Sequence, residues 1–95
     1  MSRFVVEGSI PETSWATEAA LASKRQEFEA AGVANPTIEI EGDGFGPSRV
    51  RMIFTIEAED HDAAIARGKE VLAQVAREYS WAVSAVLPAL PPVSF

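Results

Sequence analysis

Residues 36–57 read PTIEIEGDGFGPSRVRMIFTIE, two alternating runs on either side of a loop that carries three glycines. In the first run Ile38 and Ile40 point one way and Glu39 and Glu41 the other, the period-two pattern of a half-buried strand. The second run puts Val50, Met52, Phe54 and Ile56 on one side and Arg49, Arg51, Ile53, Thr55 and Glu57 on the other. If the runs pair as a hairpin with Ile40 beside Val50, Glu41 falls opposite Arg49 and Glu39 opposite Arg51. The outer charges then agree with the register that the apolar side demands. Residues 42–48, GDGFGPS, have to turn the chain, and glycine and proline supply the positive φ angles and missing ladder donors that a turn uses. A phosphate cradle would set its glycines between a strand and a helix N-terminus and add a lysine; a calcium loop would carry alternating oxygen ligands and a distal glutamate. The loop has neither pattern. Phe45, at its tip, is the one residue a turn does not require, free either to anchor a partner or to fold back on its own hairpin.

Outward from the hairpin, four further elements follow. RFVVEG, residues 3–8, is a strand with Phe4 and Val6 on one side and Arg3, Val5 and Glu7 on the other. A helix capped by Ser9, Thr13 or Ser14 should run to about Ala31 and stop at Gly32, with Ala20, Leu21, Phe28 and Ala31 in one stripe and Lys24 within it, its amine extended to water. EDHDAAIARGKEVLAQVAREY, residues 59–79, is a second helix, capped by Asp60 or Asp62, with Ile65, Gly68, Leu72, Val75 and Tyr79 on one face. A glycine there costs about 1 kcal/mol against alanine, which points to a close backbone approach at Gly68. WAVSAVL, residues 81–87, is a last strand, with Val83, Ala85 and Leu87 expected inward and Ala82 and Val86 outward.

The order β-α-β-β-α-β specifies an α+β fold, the ferredoxin-like βαββαβ plait: a four-stranded antiparallel sheet with two helices on one face. Strands one and three should be central, and FVV and MIF are apolar on both sides, whereas strand two carries the glutamates of an edge. Residues 1–87 form one expected domain and 88–95, PALPPVSF, a proline-rich tail.

Composition narrows the function classes. A chain of 95 residues with 47% apolar and 23% charged residues suits one modest core without a metal or disulfide staple. No cysteine is present, so disulfides, thiolate sites and cysteine nucleophiles are excluded together. The net charge of −6 opposes nucleic-acid and anionic-lipid binding. No run nears the ~20 apolar residues of a membrane span and the start lacks a signal-peptide pattern, so a cytoplasmic protein is expected. His61 stands among Glu59, Asp60 and Asp62, but neighbours at a helix start point about 100° apart and cannot converge on one ion, and acids there cap the helix. No catalytic residue, metal site or cofactor is expected. Trp15 and Trp81 sit at element ends, where large rings seal a core rim. RNA-binding plaits stack bases on open-face aromatics; here those positions hold Val5, Arg51, Ile53 and Thr55.

The segment IEAEDHDAAIARGKEVL, residues 56–72, and the excess of arginine over lysine resemble small plait proteins of high-GC actinobacteria and their phages, many of unassigned function. The length, the early proline after strand one and the proline-containing tail are similar to dimeric α/β-barrel proteins such as muconolactone isomerases, and that resemblance implies two open sheets packed face to face.

The expected function is a non-enzymatic interaction or self-association module working through the open sheet face or its edge. Its partner would be a second copy, as a homodimer, or another protein. The interaction face comprises Val5, Glu7, Glu39, Glu41, Phe45, Arg49, Arg51, Ile53, Thr55 and Val86, an apolar stripe edged by both charge signs. The alternative is a small-molecule binder or enzyme of the dimeric-barrel type, with a pocket between sheet and helices served by Glu7, Lys24, His61 or Arg51.

Overall fold

A computed structural model describes residues 2–42 and 48–89. The elements run β1 (Ser2–Ile10), α1 (Glu18–Ala30), β2 (Ala34–Glu41), β3 (Arg49–Ala58), α2 (His61–Val75) and β4 (Ala82–Pro88). The strands form one antiparallel sheet in the order β2-β3-β1-β4. This is the ferredoxin-like plait, with the two apolar strands at the centre and the glutamate-bearing strand at an edge.

The β2–β3 register is the one the charges specify: Ile40 pairs with Val50, Glu39 with Arg51 and Glu41 with Arg49. Alternate residues of the central strands, among them Phe4, Val6, Val50, Met52, Phe54 and Ile56, are buried on the helical side. Phe28 of α1 and Val71, Leu72 and Val75 of α2 close the core over them. Ile40 faces the same way as Ile38 but is 50% exposed, because the hairpin runs past the cover of the helices.

Two close approaches set the spacing of α2 against the sheet. A Cβ on Gly68 would stand 3.0 Å from Val6 Cγ1, and one on Gly8 would stand 2.8 Å from a Leu72 methyl. Gly68 therefore lets α2 lie directly on β1, as its place in the apolar stripe implies.

Two expectations need correction, besides the end of α2, which stops at Val75 and not at Tyr79. Helix α1 begins later than its three candidate caps allow. Thr17 is the cap, its hydroxyl accepting from the Ala20 amide, while residues 13–16 turn through an Ala16 amide to Thr13 carbonyl bond. The second concerns β4. Gly8 pairs with Val83 but Glu7 pairs with Ala85, so Ser84 is an extra residue bulged out of the ladder. Beyond it the alternation inverts: Val86 pairs with Val6 and is 9% exposed, and Leu87 pairs with Val5 and is 61% exposed. Val83 faces inward as expected, whereas Ala85, Val86 and Leu87 have exchanged sides. The strand also extends through Pro88, one residue past the expected domain edge.

Candidate interaction face

The side of the sheet that no helix covers is built from the other set of alternating residues. Across the strands, Glu39, Arg51, Ser9 and Ala82 form one row, Thr37, Ile53, Glu7 and Ala85 the next, and Thr55, Val5 and Leu87 a third. Charge gathers toward the hairpin turn, and apolar side chains gather toward β4.

Arg51 is the centre of the charged part. Its guanidinium donates to Glu39, and its Nε lies 3.4 Å from Glu7 Oε1 and 3.6 Å from Glu41 Oε2. Arg49 donates to Glu41 at 3.2 Å. The hydrogen bond to Glu39, with the three surrounding carboxylates, holds the Arg51 pKa above its ordinary value. Although the face is open, Arg51 Nε and Glu41 Oε2 are shut off from water and meet one another without a well-formed hydrogen bond. The network thus satisfies itself by charge more than by geometry.

The apolar part comprises Val5, Ile53 and Ala85, all half-buried, and the exposed Leu87. Of the residues expected on this face, Val5, Glu7, Glu39, Glu41, Arg49, Arg51, Ile53 and Thr55 are brought together on it. Val86 is not: the Ser84 bulge turns it into the core. Leu87, which the alternation assigned to the core, stands in its place. Phe45 lies outside the described residues.

Neither sheet edge is a ready template for another strand. In β2 the register slips between Ala34 and Thr37, around Asn35 at φ 51° and Pro36, and Glu39 and Glu41 follow. In β4 the bulge and Pro88 interrupt the free edge. Prolines, bulges and charges of this kind block strand addition.

The residues invoked for an internal pocket do not converge. His61 opens α2, where its Nε2 donates to the Val86 carbonyl at 2.9 Å and its ring meets the edge of Phe4. Lys24 sits at the other end of that helix, about 20 Å away at the helical rise of 1.5 Å per residue. Glu7 and Arg51 are on the opposite side of the sheet. Asp60 caps α2 through the Ala63 amide, and among the described residues no three histidine or carboxylate side chains are placed to hold a metal. No helix among them is long and apolar enough to cross a membrane. Trp15 and Trp81 both pack against the core rim, Trp15 stacked on Tyr79 at 4.5 Å.

Lys24, expected to extend its amine to water, is turned inward instead, onto partners that the sequence did not indicate. This lysine is 6% exposed, and its Nζ donates to the Val75 carbonyl at 2.7 Å, to Glu78 and, at 3.2 Å, toward Glu27, beneath the Tyr79 ring. Burial on its own would lower the lysine pKa, but the hydrogen bonds to Glu78 and Glu27 outweigh it and the pKa stands above the ordinary value. Glu78 is correspondingly lowered, chiefly by its bond to Lys24. The cluster ties α1 to the carbonyl end of α2.

No protein-family model matches the chain, and no curated protein matches it.

Proposed function

We propose that the protein is a small non-enzymatic self-association module whose partner is a second copy docked on the open sheet face. The observation that carries this reading is the juxtaposition on one uncovered face of Val5, Ile53, Ala85 and Leu87 with a charge network whose members already pair with each other. Burying isolated charges would be costly, but carboxylates and guanidiniums that enter an interface already paired lose much less on desolvation. A patch carrying both charge signs beside an apolar field is also self-complementary, as a two-fold interface requires. Blunted edges favour docking by face over strand addition. The resemblance to dimeric barrels, which pack two open sheets together, points the same way.

Size-exclusion chromatography with light scattering at micromolar concentration tests the reading. The expected mass is twice that of the chain. Leu87→Asp should shift it toward one copy while leaving the fold within about 0.5 kcal/mol, since the side chain is exposed. A parent protein that stays a strict monomer would refute the proposal.

A further inference from the structure

Where β2 joins the sheet, a cleft of about 450 Å³ opens at the end of β3, within the range of small-molecule sites. Its origin is in the chain path. Gly32, at φ 87°, reverses the chain after α1, and β2 makes its first pair only at Ala34 with Thr55. The β3 edge beyond Thr55 is therefore left without a strand partner on that side, at Ile56 and Glu57. Buried Val33 and Ile56 give the cleft an apolar floor.

Two guanidiniums line this cleft from different layers, Arg3 from β1 and Arg67 from α2. Arg67 donates to the Ala31 carbonyl at 3.3 Å and approaches Glu70 only to 3.6 Å. Arg3 comes no nearer than 3.7 Å to Glu57 and makes no side-chain hydrogen bond among the described residues. A guanidinium has five N–H donors, so most of this donor capacity is unspent. Arg51 differs, being surrounded by three carboxylates at closer range. Asn35 also lines the cleft, at the bulge where β2 slips register.

We infer that this cleft binds a small organic anion, a carboxylate on an apolar body: the charged end bridges Arg3 and Arg67 and the body rests on Val33 and Ile56. Glu57 is the one carboxylate in the lining, and neither it nor Glu70 outside the lining engages an arginine at close range, which leaves both guanidiniums donors for an anion. The inference does not rest on the association reading, although the cleft meets the open face at Thr55, so mass and affinity are read separately.

Amide NMR titration with sodium benzoate tests it, with benzamide as the uncharged isostere and inorganic phosphate as an anion lacking the apolar body. Benzoate should give saturable shifts centred on Gly32, Asn35 and Glu57, phosphate weaker ones, and benzamide none. Arg3→Gln should weaken benzoate about tenfold or more, the loss expected for a charge-assisted hydrogen bond. Its melting temperature should not change, because Arg3 is exposed. Arg67→Gln should weaken benzoate similarly. Arg25→Gln removes the same charge from the exposed surface of α1 and should leave the affinity as it was. Shifts that never saturate, equal binding of benzamide, an unchanged affinity in Arg3→Gln, or an equal loss in Arg25→Gln would each overturn the inference. Light scattering on the same samples separates any change of mass from a change of affinity.

Discussion

On each side of the sheet a cation sits among carboxylates, Arg51 on one and Lys24 on the other, and the two serve differently. On the open side Arg51 lies among Glu7, Glu39 and Glu41, contacts fixed by strand register within one hairpin and its neighbour. On the covered side Lys24 reaches a backbone carbonyl at the end of α2, inside the packing of both helices. Exposed ion pairs contribute little because water competes for each charge, whereas a buried donor on a carbonyl leaves an unsatisfied group when it is removed. The three ion pairs of Arg51 therefore signify less stability than the two of Lys24. What matters is what replaces the partner once it is gone: solvent on one side, a vacancy in the core on the other.

Substitutions on the two sides should separate accordingly. The largest effect is expected for Gly68→Val, which drives a branched side chain into Val6 at a position where even a Cβ would stand 3.0 Å away. Overpacking of this kind costs about 1–3 kcal/mol, and denaturant unfolding should show the upper end of that range. Lys24→Met, which keeps the stem and removes the donor, should cost about 1–3 kcal/mol and lower the melting temperature by about 5–15 °C. Its pH dependence follows from the two shifts. Glu78 is lowered, so its share is present above the unfolded carboxylate pKa and lost as pH falls through the folded value. Lys24 is raised, so its share is present below the unfolded lysine pKa and lost as pH rises through the folded value. The gap between parent and variant should be flat from about pH 5 to 10 and narrow below about pH 4, modestly, because Glu78 is half exposed to solvent screening. A gap unchanged at acid pH would mean that the carbonyl contact alone matters.

On the open side Arg51→Glu should come next, since it would set four carboxylates together, and added salt should recover most of its lost melting temperature. Arg51→Gln should have the smallest effect, a change of melting temperature of about 2 °C or less, because solvated glutamates replace the pairs. If Arg51→Gln proved as damaging as Lys24→Met, the contrast between the two sides would fail.

The parts of this contrast that were legible in the sequence are those constrained twice. The β2–β3 register satisfies an apolar face and a charged face at once, so one alignment of Ile40 with Val50 meets both conditions. Gly68 was legible because a glycine in an apolar helical stripe has no other local explanation. Lys24 was seen in its stripe, but its partners Val75 and Glu78 lie more than fifty residues on, and nothing local distinguishes a lysine that turns inward from one that extends outward. The exchange of Val86 and Leu87 was hidden for another reason. AVSAVL is compatible with unbroken alternation, and an edge strand tolerates an extra residue at Ser84 without any glycine or proline to mark it. The helix start was obscured by a surplus of capping residues upstream of Thr17. Eight of the residues expected there lie on the uncovered side of the sheet, and its most exposed apolar member was missed with the bulge.

The place of β1 in the sheet has a consequence in time. This strand precedes both its neighbours in the chain, so its FVV segment waits for residues 49–58 to pair one edge and for residues 82–88 to pair the other. The β2–β3 hairpin needs only a short loop to close and brings its own matched charges, so it can form while β1 is still unpaired. Docking of β1 between the hairpin and the last strand then joins distant parts of the chain, the slow kind of event in plaits of this type. Until it happens an apolar strand is open on both sides, and the interval between synthesis of β1 and arrival of β4 is when this protein is most exposed to aggregation.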